Sequence, residues 1–326
     1  MKTIEGTNNL KISRLNWAVL WNRYGVLSIL IIYLIAASLL VPHFFELSNF
    51  INVMRNMAFV SFVAYGQTLV ILSGGLDLSH GSLVSLTCMT AAALAAIGYP
   101  WVGVFAALLV GSACGLTSGA IIGFLRLNPI IATLGMMYLA GGLSSYFTDG
   151  KSIDTIRYED VRILHYIADG DILHIPIILI LSLIALAGTF FLLRYRPFGN
   201  KVYALGGDTE KAEVVGVDYI KMKIAIFAIS GFSCGITGAL FMGRTCSGEA
   251  KVGFGTFILE SVGAVVIGGN NIFGGRGNIG RTFLGLLTLA FLNNSLNLYG
   301  FSTYMQEIII GIVVLVFCYL SMLRKG

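Results

Sequence analysis

The sequence predicts an all-α membrane protein, a polytopic bundle of about ten transmembrane helices interrupted by glycine-rich broken or re-entrant segments. Three observations carry that expectation. Hydrophobic residues make up 56 % of the 326 positions and charged residues 11 %, against about 25 % charged in soluble domains, and the mean hydropathy is +0.85. Apolar runs of span length recur from one end of the chain to the other, where a span needs roughly 20 apolar residues to cross about 30 Å of hydrocarbon. Glycine occurs 40 times and proline five, a balance that suits close-packed membrane helices.

Residues 1–24 are polar and carry Lys2, Lys11, Arg14 and Arg23. The apolar run that follows ends at Pro42-His43 with no small-residue cleavage site, so it reads as a retained first span. The ten segments fall near 25–42, 51–73, 82–98, 102–125, 130–147, 174–193, 222–243, 257–270, 280–298 and 305–322. The eighth is short enough to be broken or re-entrant. Ten spans put most of the basic residues on one side: the N-terminal four, Arg126, the six between Arg194 and Lys223, Arg276, Arg281, Arg324 and Lys325. The positive-inside rule makes that side cytoplasmic, with both termini inside. Residues 25–326 then form one transmembrane domain, with a cytoplasmic loop at 194–223 and an outer loop at 148–173. The outer loop holds six acids against three basic residues; it is read either as a solvated loop, with room for a short surface helix, or as a face for a basic partner.

Gly111, Gly115, Gly119 and Gly123 recur every fourth residue and share one helix face, the pattern of a close packing seam. Gly231 and Gly235 repeat it in the seventh span. The run Ser73 to Ser82 stops an apolar helix at Gly74-Gly75 and restarts it, with Asp77 or Ser79 as the cap. A carboxylate at that depth is costly, so Asp77 is read as a structural cap or as a functional group. Gly268 to Gly275 is a second glycine-rich break, which two related halves would explain. Glu260 opens the eighth segment. Asn293 and Asn297, with Asn294 beside them, sit in the ninth, either bonding to neighbouring helices or facing a hydroxylated solute.

Several chemistries are excluded. The chain lacks GxxxxGK[ST] and HExxH motifs, so neither phosphate cradling nor a zinc hydrolytic site is expected, and an enzyme is not expected. The five scattered cysteines have no metal-ligand spacing, no metal site is expected, and no basic stripe suits a nucleic acid. Between the Gly206-Gly207 pair, read as a turn, and Asp218, the stretch Glu210-Lys-Ala-Glu-Val-Val-Gly216 reads as a short helix held in water between two spans.

These motifs together resemble the permease subunit of ribose/xylose/galactose-type ABC importers. The family's GGIDLSVGS is similar to Gly74-Gly-Leu-Asp-Leu-Ser-His-Gly-Ser82, with His80 in place of an apolar residue. Asn128-Pro-Ile-Ile-Ala-Thr-Leu-Gly135, Phe198 to Asp208, Gly274-Gly-Arg-Gly277 and Asn293 to Gly300 match further family stretches in order. The resemblance implies an EAA-x3-G type ATPase-coupling helix at Glu210, Lys211, Ala212, Glu213 and Gly216. Lys211 departs from the usual alanine and Glu213 from a common basic residue, departures that point to a matched partner. It further implies a cytoplasmic ABC ATPase, a second permease subunit that is identical or a sister, and a periplasmic solute-binding protein, all at a bacterial inner membrane. No cofactor is expected on this chain; ATP and Mg would belong to the ATPase. Gly75, Asp77, Ser79, Asn293, Asn294 and Asn297 are the candidates for the solute path or its framework. The implied solute is a neutral sugar or polyol, with a nucleoside, a signalling sugar or a branched-chain amino acid as alternatives. An ion-coupled secondary transporter centred on Asp77 and Glu260 is the competing class.

Overall fold

A computed structural model describes residues 17–146, 148–253 and 256–323. Lys2, Lys11, Arg14, Arg324 and Lys325, on which the orientation partly rests, lie outside the described residues. Each of the ten apolar segments lies on its own helix: α1 Trp17–Leu40, α2 Leu47–Leu72, α3 His80–Ala96, α4 Pro100–Leu125, α5 Pro129–Tyr146, α7 Ile177–Tyr195, α10 Tyr219–Thr245, α11 Thr256–Ile267, α12 Ile279–Leu298 and α13 Thr303–Leu323. Three short helices stand between them: α6 Tyr158–Asp169, α8 Pro197–Gly207 and α9 Thr209–Val214. A two-strand hairpin, β1 Asp171–Ile172 and β2 Ile175–Pro176, completes the described elements.

Among the described residues, α4, α7 and α10 are long and apolar enough to cross a membrane on length and composition alone. Three of the others fall short for identifiable reasons. Helix α2 has the length but carries Asn49, Asn52, Arg55 and Asn56, and α12 carries Arg281 and three asparagines. Helix α11 has 12 residues, about 18 Å of helix against about 30 Å of hydrocarbon. The short eighth segment is therefore a half-length helix flanked by irregular chain. Helix α1 begins eight residues earlier than its apolar run, at Trp17.

Helix α10 is the axis of the bundle, with α2, α3, α4 and α6 packed on it. The four glycines of α4 make its closest contact. An added Cβ at Gly115 would overlap the Phe227 carbonyl oxygen, one at Gly119 would lie 2.7 Å from the Ile224 Cα, and one at Gly123 would lie 3.2 Å from the Ile220 Cα. Gly231 in turn abuts the Gly111 carbonyl, and Gly235 the Ala107 carbonyl. The helices run antiparallel with their backbones touching. In a membrane, where burying apolar side chains gives no advantage over lipid, this close approach is the main source of helix association.

The two glycine-rich breaks are local copies of each other. At the end of α2, Gly74 N–H donates to Ile71 and Gly75 N–H to Val70; at the end of α11, Gly269 donates to Val266 and Asn270 to Val265. Gly74 and Gly269 both have φ +77°, the left-handed cap geometry that glycine tolerates. The breaks also meet, since Gly275 N–H donates to the Leu72 carbonyl at 3.0 Å. The Gly206 backbone of α8 is packed against both. Gly206 and Gly207 belong to α8 and not to a turn; the missing side chain at Gly206 is what lets α8 lie on that junction.

The 148–173 loop does form a surface helix, α6, whose Val161, Leu164 and Ala168 are buried against α10. Three of its six acids are engaged within the chain. Asp171 pairs with Arg55 at 2.8 Å, Asp169 with Arg244 at 3.3 Å, and Asp160 with Arg157 at 2.9 Å.

Candidate functional site

The stretch 194–223 is two helices and two helix ends. Pro197 starts α8 in its first turn, where its missing N–H is not needed. Asp208 then caps α9, accepting the Lys211 backbone N–H at 3.1 Å, while Lys211 Nζ returns to Asp208 Oδ2 at 2.8 Å. Ala212 is buried in the main core; a larger residue there would lift the turn off the bundle. Glu213 accepts from Arg126 at 2.9 Å, across to the α4–α5 connection, and Arg126 lies over the Tyr219 ring. Being partly exposed, the pair is worth about 1 kcal/mol or less. Lys211 and Glu213 thus each have a partner inside the chain. Gly216, at φ +87°, turns the chain toward Asp218, which caps α10. Two residues absent from the motif reading stand out: Val214 is 87 % exposed and Val215 77 %. Their apolar character inside a polar stretch was the available signal.

The Asp208 carboxyl is held below its ordinary range, first by the Lys211 side-chain hydrogen bond and then by the Lys211 backbone N–H. A depressed folded value means the cap is fully formed above the ordinary carboxylate range and is lost as pH falls through the depressed value. Protection of the α9 amides from hydrogen exchange, relative to their intrinsic rate at each pH, is expected to hold from neutral pH down through the ordinary carboxylate range and to fall below it. Asp208→Asn, a comparable cap without the titration, is expected to flatten that pH response.

Lys223, which the sequence reading placed in the solvated loop, is buried in α10 at 2 % exposure. Its Nζ donates to the Ser73 carbonyl at 2.9 Å and reaches the Ser73 hydroxyl at 3.3 Å. A cation against the carbonyl end of α2 is favourably placed for the helix dipole. One short stretch of α10 therefore joins the α9 region, through Tyr219, to the broken end of α2.

Asp77, Ser79 and His80 form a buried node with Ser230 of α10. Asp77 Oδ1 accepts the Ser79 N–H at 2.9 Å and the Ser79 hydroxyl at 2.6 Å. His80 Nε2 lies 2.6 Å from Ser230 Oγ and 3.4 Å from Asp77 Oδ2. Neither Asp77 nor Ser79 caps α3 through its side chain; Asp77 instead ties the connecting loop to itself. The Ser, His and Asp are not arranged for nucleophilic catalysis, because both oxygens approach one ring nitrogen, whereas proton relay needs the carboxylate on the other. Gly75 makes the close turn beside Pro129.

Asn293 and Asn294 both hydrogen-bond to neighbouring helices. Asn293 Nδ2 donates to Glu260 Oε1 at 2.7 Å, and Asn294 exchanges bonds with Asn49 at 2.7 and 3.0 Å. Glu260, Asn293, Asn294 and Asn297 also line a cavity of about 270 Å3 between α2, α11, α12 and α13. It begins at Val53 to Val60 on α2, some twelve residues or about 18 Å from the α8 junction.

Irregular backbone such as that at Ser73–Ser79 survives within a membrane only where protein encloses it, an arrangement that transport proteins build around a solute path. The fold is accordingly that of a polytopic membrane transport protein. Over residues 49–318 the chain matches the family described as branched-chain amino acid transport system / permease component, and it belongs to that permease family. It is 35 % identical to the ribose import permease RbsC of Haemophilus influenzae, over 88 % of this chain and 89 % of the relative. The ribose import permease RbsC of Escherichia coli K12 is 34 % identical over 88 % of this chain and 89 % of its own. The L-arabinose transport system permease AraH of the same strain is 32 % identical, over 93 % and 91 %. No solved structure matches.

Proposed function

We propose that this chain is the membrane subunit of an ATP-driven, binding-protein-dependent importer for a neutral sugar or a related polyol. It would sit in a bacterial inner membrane with both termini and α8–α9 on the cytoplasmic side, residues 25–326 forming one permease domain. The observation that carries the reading is α9. It is capped by Asp208, anchored by Ala212 and braced by Glu213 on Arg126, and it presents Val214 and Val215 to solvent. An apolar tip on a braced turn suits insertion into a groove on another protein, and the motif at Glu210, Lys211, Ala212, Glu213 and Gly216 supports a cytoplasmic ABC ATPase as that protein. The ATP and Mg would be held there and not on this chain. A second permease subunit would complete the path, and a periplasmic binding protein would deliver solute. Movement of α9 would reach the broken α2–α3 joint through Asp218, Tyr219 and Lys223, as a shift between two packed arrangements. The names of the relatives, for ribose and arabinose, support a sugar.

Purification from the native membrane tests the reading. Recovery of an ATPase, with uptake that needs ATP and survives collapse of ion gradients, is the expected result. Solute transport by the chain reconstituted alone, driven by an ion gradient, would overturn it and return attention to Asp77 and Glu260.

A further inference from the structure

Beyond Thr245, the chain that joins α10 to α11 turns back into the bundle. Arg55, Asp169 and Arg244 form a charged ring at the end of α10 and mark the water boundary there. Gly238 of α10 packs on Thr87 and Cys88 of α3, about 10 Å deeper than Thr245 along the helix. The Cys88 thiol lies 4.0 Å from the Ser247 carbonyl oxygen, and Gly248 abuts Ala92 and Met89. From there the segment descends along α3. Gly253 abuts Gly81, and its N–H donates to the Ser85 hydroxyl at 3.0 Å. On the way, Gly248 exchanges backbone bonds with Ile153 at 2.9 and 3.0 Å, and the Ala250 carbonyl accepts from Ser144 of α5 at 2.9 Å. Gly248, Ala250 and Gly253 are buried, whereas Glu249 and Lys251 are exposed. The alternation over 248–251 is that of an extended chain with one face on the bundle.

Irregular backbone at membrane depth persists only where protein encloses it or where it lines a water-filled cavity. The buried side of this segment meets the first condition: Gly248 and Gly253 have no side chains, so the chain lies flat on α3. The other side does not. Lys251 follows Ser247 and precedes Gly253, which puts its backbone about 10 Å below the charged ring, and an exposed charge at that depth is costly among lipid tails. We infer that Ser247 to Gly253 is a re-entrant segment lining the water-filled outer mouth of the solute path, with Glu249 and Lys251 facing that water. The inference rests on the importer reading above and gives its path a wall. Glu249 and Lys251 carry opposite charges two residues apart, so the wall is hydrated without a net field. Gly253, at the deep end, meets Gly81 beside the broken α2–α3 joint. The joint that α9 reaches through Lys223 is therefore also the floor of this mouth, and a shift there would be felt along its wall.

The test is the reaction of an introduced thiol with a membrane-impermeant, cationic methanethiosulfonate reagent. The reagent is added outside right-side-out vesicles that hold the complete importer and are loaded with ATP. Cys246→Ser first removes the native thiol of this connection. In that background Lys251→Cys and Glu249→Cys are each expected to react, and the reaction to lower uptake of D-ribose or L-arabinose roughly tenfold or more. Both side chains are exposed, so either substitution spares the fold, and each position checks the other. Leu109→Cys, exposed on the apolar surface of α4 and about 13 Å into that helix, should not react. No reaction at either position, or reaction that leaves uptake unchanged, would overturn the segment as a wall of the path; an ATPase that still co-purifies would leave the importer reading intact. Reaction in inside-out vesicles alone would overturn it as well. Transport independent of ATP, with no ATPase recovered, would instead remove the importer reading on which the inference rests.

Discussion

Replacing Val214 and Val215 together with aspartate is expected to abolish ATP-dependent uptake while the chain still reaches the membrane. Both side chains are largely exposed, so the change costs the isolated subunit little. Nothing in the bundle depends on them. Buried apolar anchors at protein interfaces are each worth about 2 kcal/mol or more. Losing one such anchor weakens binding roughly thirtyfold, and losing both removes the ATPase at working concentrations. The measurement is recovery of ATPase with the purified permease, alongside uptake. Normal recovery of the ATPase, or normal uptake, would show that α9 is not the docking element. Ala212→Asp would be the wrong test, because Ala212 is buried in the core and the turn itself would be lost.

The second large effect falls on stability. Gly115→Leu is expected to prevent accumulation of folded chain, because its side chain would have to enter the Phe227 backbone of α10. No rotamer relieves that overlap; the two helices must separate along the seam. Over-packing of this kind costs about 3 kcal/mol or more, at the upper end for core substitutions. Gly188→Leu in α7 is the matched control, since nothing lies within 4 Å of its added Cβ. It should be tolerated. The comparison is read as yield of monodisperse protein in detergent and its thermal midpoint. Equal yields would mean that the α4–α10 contact is not what holds the bundle.

How much of this was legible in the sequence depends on how local the cause is. The helices were visible because a span must be continuously apolar, and the glycine seam because four-residue spacing puts side chains on one face. The break at Gly74 was visible because a helix cap of that geometry favours glycine. The role of Asp77 was not visible. It was read as a helix cap or as a functional group; in the fold its carboxylate holds Ser79 and faces His80 and Ser230, and Ser230 is some 150 residues away. Lys223 was misread for a related reason. A lysine at the edge of an apolar run looks solvated until another helix end supplies the carbonyl that accepts its hydrogen bond.

Sequence alone determined the class of this protein, its helical segments, its closest packing seam and the short helix offered for coupling. Each of these follows from composition, or from periodicity within a few turns. The tertiary structure alone decided which charges are spent inside the chain. Glu213 is held by Arg126, and Asp169 by Arg55 and Arg244. It also brought Glu260 against Asn293 and set both in one cavity with residues from α2 and α13. Such pairings depend on helix order and crossing in three dimensions, and a residue's sequence neighbours carry no record of the partner that the fold will bring to it.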